Sequence, residues 1–176
     1  KILSKKYIHS VRDEYTRNKL ATIGIGSINT GCPTLWRITD EVTDWIPKNK
    51  NRGVVITLTD YNRNRERDTK LLDVCLRNYQ KVYLFPQGTG DIPYIKDLGY
   101  IERLQVISPQ ISAYNALLES GEVDYIGTRL HAGIRALQKS VRSFIIGIDN
   151  RAKEMARDFG LPVLVEESMN RLEEWI

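Results

Sequence analysis

The sequence predicts an α/β protein built on an open, doubly wound parallel sheet. Three observations point there. From Gly53 onward, short β-branched or aromatic runs alternate with stretches of helical period. The strand candidates are apolar almost throughout, as parallel strands covered on both faces are. Each intervening stretch is long enough for one right-handed crossover.

The strand candidates are residues 54–59, 81–85, 104–108, 124–126, 143–148 and 163–165. Between them, residues 68–79 carry Leu71, Leu72, Cys75, Leu76 and Tyr79 on one helical stripe, and 92–98, 112–120, 129–139 and 151–159 follow as further helices. Stop signals agree with these limits, since Ser120-Gly121 ends one helix and Gly160-Leu161-Pro162 another. The first 52 residues read differently. A helix is expected over 12–23, closed by the turn Gly24-Ile25-Gly26, then a short strand at 27–29 and an irregular stretch over 31–47. Ser10-Val11-Arg12-Asp13 has the spacing of a capping box in which Ser10 caps the helix and Asp13 answers it. The chain divides accordingly into an opening helix with an irregular inter-lobe segment, 1–52, and a sheet domain, 53–176. Lys1 is not an initiator Met, so a longer polypeptide with a further, amino-terminal lobe is expected.

Composition bounds the function. At 176 residues, with 41 % apolar and 27 % charged residues, the chain is neither a disordered nor a disulfide-scaffold sequence. The 26 Lys plus Arg outnumber the 22 Asp plus Glu by 4, a mild bias towards small anions over duplex nucleic acid. The one basic cluster, Arg63-Asn64-Arg65-Glu66-Arg67, is diluted by Glu66 and Asp68 and reads as a solvated loop before a helix. No apolar run approaches the roughly 20 residues of a membrane span, and Lys1 to Lys6 lead into no secretory h-region. A cytoplasmic location follows as the expectation. Cys32 and Cys75 stand 43 positions apart without a CxxC pair, so no metal and no disulfide is expected.

In such a sheet, ligands bind outside the carboxyl ends of the strands, where helix N-termini aim free N–H groups. The strongest strand end is Gly127-Thr128-Arg129-Leu130-His131-Ala132-Gly133. Thr128 reads as the N-cap, which places Arg129 and His131 in the first turn, where guanidinium, imidazole and backbone amides converge on a phosphate or carboxylate. The plainer alternative has His131 packing and Arg129 snorkelling. Gln87-Gly88-Thr89-Gly90 follows a strand, so its backbone could approach a phosphate or form an ordinary turn. Neither GxGxxG nor GxxxxGK[ST] is present, which disfavours NAD and ATP. Asp60 and Asp149 end strands as bases, hydroxyl ligands or helix caps, and Arg12, which no cap requires, could reach a ligand held between lobes.

These residues resemble the carboxyl-terminal half of the polysaccharide pyruvyl transferases. The resemblance rests on Ser10-Val11-Arg12-Asp13-Glu14-Tyr15-Thr16, Gly31-Cys32-Pro33-Thr34, Phe85-Pro86-Gln87-Gly88 and, most, on residues 124–134 with Ile148-Asp149 behind them, and it spans residues 10–166. It implies a two-lobed, glycosyltransferase-B-like enzyme, of which this chain is the Rossmann-like, donor-binding lobe. Such an enzyme moves a pyruvyl group from phosphoenolpyruvate onto sugar hydroxyls of a surface glycan as a ketal, with no metal, nucleotide or other cofactor. Arg129, Leu130 and His131 correspond to the family's donor-binding element, and Arg12 to its second donor-binding arginine. Gln87, Gly88 and Asp149 are further substrate-binding candidates. Cys32 departs from the acidic residue more usual at its place.

The chemistry suits these residues. Two arginines and a helix N-terminus can neutralise the donor's phosphate and carboxylate, and the enol carbon must be protonated before a sugar oxygen attacks. His131 is the candidate acid, with the sign of its pKa shift open between helix dipole and bound phosphate. The candidate base is Asp13 or a group in the absent lobe. Two alternatives remain at this level. One is a nucleotide-sugar glycosyltransferase lobe, with Glu166 and Glu174 as its acidic pair; the other is a non-catalytic anion-binding α/β module. Trp36, Trp45 and Trp175 do not decide between them.

Overall fold

Strands buried on both faces need no polar edge to their pattern, and the six apolar runs assemble into one sheet. The computed structural model describes residues 3–176; Lys1 and Ile2, which open the 1–52 segment, lie outside the described residues. The sheet is wholly parallel, in the order β5-β4-β3-β6-β7-β8. Its strands are β3 (Gly53–Thr57), β4 (Lys81–Leu84), β5 (Gln105–Val106), β6 (Val123–Gly127), β7 (Ser143–Gly147) and β8 (Val163–Val165). The central pair β3 and β6 is buried at every position, in register from Gly53↔Val123 to Thr57↔Gly127.

Helices cover both faces. Against one lie α3 (Arg65–Asn78) and α4 (Asp91–Asp97), with α8 (Leu172–Trp175), burying Leu71, Leu72, Ile95 and Leu172 on Val54, Ile56 and Leu84. Against the other lie α5 (Ile111–Glu119), α6 (Leu130–Leu137) and α7 (Asn150–Phe159), burying Tyr114, Ile134 and Met155 on Val55, Tyr125 and Ile145. The expected α/β, Rossmann-like sheet is therefore present. Strand order reverses between β3 and β6, which makes the carboxyl ends of these two strands the switch point. No helix among the described residues is long and apolar enough to cross a membrane.

Several local expectations change. Asp13, not Ser10, caps α1 (Glu14–Ala21), accepting from Thr16 N at 2.7 Å, while the Ser10 hydroxyl meets Thr30 Oγ1 at 2.5 Å. Thr128 is no cap: it is buried, its N–H donates to Thr57 O at 2.9 Å, and Arg129 takes the cap position without a side-chain bond. The basic cluster is a solvated loop only in part: Arg63, Arg65 and Glu66 are exposed, but Asn64 caps α3 and starts the helix at Arg65. Arg67 is then buried, its Nε 2.8 Å from Asp68 Oδ1.

The segment before the sheet contributes β1 (His9–Val11), which pairs in parallel with β2 (Ser27–Asn29), and a short helix, α2 (Asp40–Asp44). Three residues, His9-Ser10-Val11, are too few to display a period, and β1 escapes a periodicity argument for that reason. Gly24 (φ +69°) turns the chain out of α1, as expected. Hydrogen bonds fasten this segment to the second helical face: Glu14 N donates to Asp158 Oδ2 at 2.7 Å, and Gln138 Nε2 to Thr34 O at 2.5 Å.

Close contact between α6 and the sheet depends on Gly133, where a Cβ would meet Ile145 Cγ1 and come within 2.9 Å of Tyr125 Cε1. Gly133→Ala is expected to destabilise the chain by about 1–3 kcal/mol, seen as a lower urea midpoint with an unchanged m-value.

Candidate functional site

Two clusters of side chains meet at the carboxyl ends of β3, β4, β6 and β7. The first surrounds Arg129. At Gly127 a Cβ would lie 2.6 Å from Thr57 O, so only glycine lets β6 end flush against β3. Tyr125 Oη donates to Arg129 O at 2.8 Å and sits 2.6 Å from Thr57 Oγ1, which fixes where the chain leaves the sheet. The Arg129 side chain turns over the strand ends. Its Nη2 donates to Asp91 Oδ1 at 2.7 Å and Oδ2 at 3.0 Å and approaches Asp60 Oδ1 at 3.3 Å, while Nε donates to Leu58 O at 3.3 Å. Tyr61 lies beneath the guanidinium, 5.3 Å from ring centroid to Cζ.

Asp91 is the centre of this cluster. It is 1 % exposed and also accepts from Gln87 N at 2.9 Å and Gly88 N at 2.8 Å. The two amides read as a phosphate cradle thus hold a carboxylate of the chain itself. A Cβ at Gly88 would come within 2.9 Å of Arg129 Nη2, and one at Gly90 within 2.6 Å of Asp60 Oδ2, so these glycines make room for the ion pair. The Gln87 side chain is exposed. Arg129 is thus held by two carboxylates through Nη2 and by a backbone carbonyl through Nε. Leu130 is a core side chain, packed with Tyr114 and Tyr125, and only its backbone N–H faces a ligand-binding role.

The second cluster surrounds His131. It stands in the first turn of α6, whose N-terminus has no side-chain cap. Its Nε2 lies 3.7 Å from Cys32 Sγ, which in turn accepts from Thr34 Oγ1 at 3.1 Å. Desolvation lowers the imidazole pKa below its ordinary 6.5, helped by the positive charges of Arg151 and Arg12 and opposed by Asp149. In the chain without a bound anion, these causes favour the neutral imidazole.

Asp149 caps α7 through Ala152 N at 3.1 Å and holds Arg151 by Nε at 2.9 Å and Nη2 at 2.6 Å. Burial pushes the Asp149 pKa up, but the bonds from Arg151 and Ala152 outweigh it and the net shift is downward. Asp13 is buried beside Arg12, whose Nε is 3.4 Å away. Burial raises its pKa, the Thr16 and Arg12 contacts lower it further than that, and the carboxylate is left a weaker base than an ordinary aspartate. Arg12 itself is exposed. Of the sequence candidates, His131, Arg12 and Asp149 thus come together, Asp13 borders them, and Arg129, Gln87 and Gly88 belong to the neighbouring ion-pair cluster. Glu166 and Glu174 form no pair: Asn64 Nδ2 donates to Glu166 at 2.5 Å and Arg171 Nε to Glu174 at 2.9 Å.

Sequence reasoning missed Arg151 and Asp91. Arg151 carried a signal, because a cation in the first turn of a helix opposes the macrodipole and calls for a reason. Asp91 carried none, since an acid in a first turn is ordinary. The sequence profile of the family described as polysaccharide pyruvyl transferase matches residues 1–150 of the chain. No curated protein matches it.

Two outcomes follow from this geometry. Asp91→Ala leaves Arg129 with Asp60 alone and two backbone amides without their acceptor, and is expected to cost about 3 kcal/mol in urea unfolding. His131 is expected to titrate below 6.5 by NMR and to move upward in Arg151→Ala. Because the folded chain binds this proton less readily than the unfolded chain, the His131 contribution opposes folding progressively as pH falls below about 6.5.

Proposed function

The chain belongs to the polysaccharide pyruvyl transferase family, and we propose that it binds phosphoenolpyruvate at the N-terminus of α6 and passes the pyruvyl group to saccharide hydroxyls as a ketal. The observation that carries this reading is the uncapped start of α6, with His131 in its first turn and the charges of Arg12 and Arg151 close enough to act on it. Phosphoenolpyruvate bears a phosphate and a carboxylate close together. Two guanidiniums supply planar, charge-assisted donors for them, and the free amides of the helix start add a fixed positive end. Arg151 is held in place by Asp149, so less freedom is lost when it meets an anion.

In this reading the residues divide the work. Arg12 and Arg151 neutralise the donor, and His131 handles the proton that moves as C3 of the donor becomes a methyl group and an acceptor oxygen bonds to C2. A second hydroxyl then displaces phosphate and closes the ketal. Arg129 is a positioning residue, holding the ends of β3, β4 and β6 in the arrangement that places the start of α6. The segment 1–52 brings Arg12 and Cys32 to the site and is the seam to a second lobe carrying most of the acceptor site. The donor is a substrate, and the reading invokes no further cofactor.

Titration calorimetry tests it. Phosphoenolpyruvate is expected to bind saturably, and Arg12→Ala, Arg151→Ala and His131→Ala to weaken binding by roughly 10- to 100-fold each, the value of one charge-assisted hydrogen bond. Uridine and cytidine nucleotides are expected not to compete. Displacement by a nucleotide would instead support a glycosyltransferase lobe.

A further inference from the structure

The donor's methylene carbon needs a proton from a group that carries one and can touch it, and few groups at this site qualify. The charged and titratable groups around His131 are Arg12, Arg151, Asp149, Asp13 and Cys32, with Tyr61 against Arg151. The guanidiniums do not release protons. Both carboxyl groups are held below their ordinary pKa by their hydrogen-bond partners. Among the groups that carry a proton, the thiol is the one in contact with the imidazole, across 3.7 Å. Cys32 is half-buried at the head of a 3₁₀ turn (Pro33–Arg37), and the Thr34 hydroxyl donates to its sulfur. The second cysteine, Cys75, is wholly buried in the core, where burial pushes its thiol pKa up.

We propose that Cys32 is the acid of the reaction, its thiol protonating the methylene carbon of phosphoenolpyruvate while His131 takes the acceptor's hydroxyl proton and returns it to the sulfur. This inference rests on the donor site proposed above. The step balances within the site. The S–H bond breaks and the electron pair of the donor's C=C bond forms the new C–H bond. The acceptor oxygen bonds to C2 and gives its proton to Nε2 of His131. The imidazolium then reprotonates the Cys32 thiolate, so no outside acid is consumed. A neutral imidazole, the state that Arg12 and Arg151 favour, is the form able to accept that proton.

The whole chain is treated with 3-bromopyruvate, which carries the donor's carboxylate and an electrophilic carbon where the thiol would deliver its proton. Sulfur attack forms an S–C bond and releases bromide. Mass spectrometry is expected to find the label on Cys32 and not on Cys75, with labelling slowed about tenfold by saturating phosphoenolpyruvate. Cys32→Ser is expected to keep phosphoenolpyruvate affinity within about threefold. It should lose about 100-fold or more of the phosphate released from phosphoenolpyruvate with a panel of methyl glycosides, the scale of one general acid. Phosphoenolpyruvate that binds but leaves Cys32 labelling unchanged overturns the assignment, as does Cys32→Ser releasing phosphate at the wild-type rate; both leave the donor site standing. A folded wild-type chain that binds no phosphoenolpyruvate overturns the proposed function and this assignment with it.

Discussion

A guanidinium only 16 % exposed, held between two carboxylates, is the constraint on which the carboxyl end of the sheet depends. Arg129 leaves β6, reaches across β3 and meets Asp91 beyond β4, so three strand ends are tied by one side chain. Removing either partner strands a charge in a low-dielectric place, which costs far more than the intact pair contributes. The local glycines follow from it. Gly88 and Gly90 give the ion pair space, and Gly127 lets β6 approach β3 closely enough for Arg129 to start in the right place.

That same ion pair decides what the loop after β4 has left to bind. Because Asp91 occupies the amides of Gln87 and Gly88 as well as Arg129, the loop after β4 is already satisfied by an internal anion. On the other side of the α6 start stand Arg12 and Arg151, each beside a single carboxylate, and they add to the burial that lowers the pKa of His131. Three separate pieces of chain supply this cluster: the segment after β1, the first turn of α6 and the first turn of α7. Their meeting depends on the hydrogen bonds of Glu14 and Asn29 to Asp158, which seat the segment before the sheet against α7.

The reach of the sequence can be judged from particular residues. The doubly wound sheet was legible because burial on both faces forces long apolar runs, and each crossover needs a helix of its own period. Gly24 and Gly160 were legible as helix ends because a left-handed residue there favours glycine, and both have positive φ. The caps were less so. Asp13 and Ser10 are both good capping residues three positions apart, and only the pairing of β1 with β2, which draws Ser10 towards Thr30, left Asp13 to cap α1. Thr128 failed as a cap because its hydroxyl turns to Thr57 O across the β3–β6 pair, a partner 71 residues away, and Arg129 takes the cap position.

By itself, then, the sequence determined the fold class and singled out Arg12, His131 and Asp149, which lie together at the carboxyl ends of the strands, since periodicity and helix-start chemistry are local properties of the chain. Tertiary structure alone decided that Arg129 pairs with Asp91 and that Cys32 touches His131. Those partners stand 38 and 99 positions apart. Whether a charge is free or paired depends on which distant side chain the sheet order brings beside it, and spacing along the chain carries no information about that.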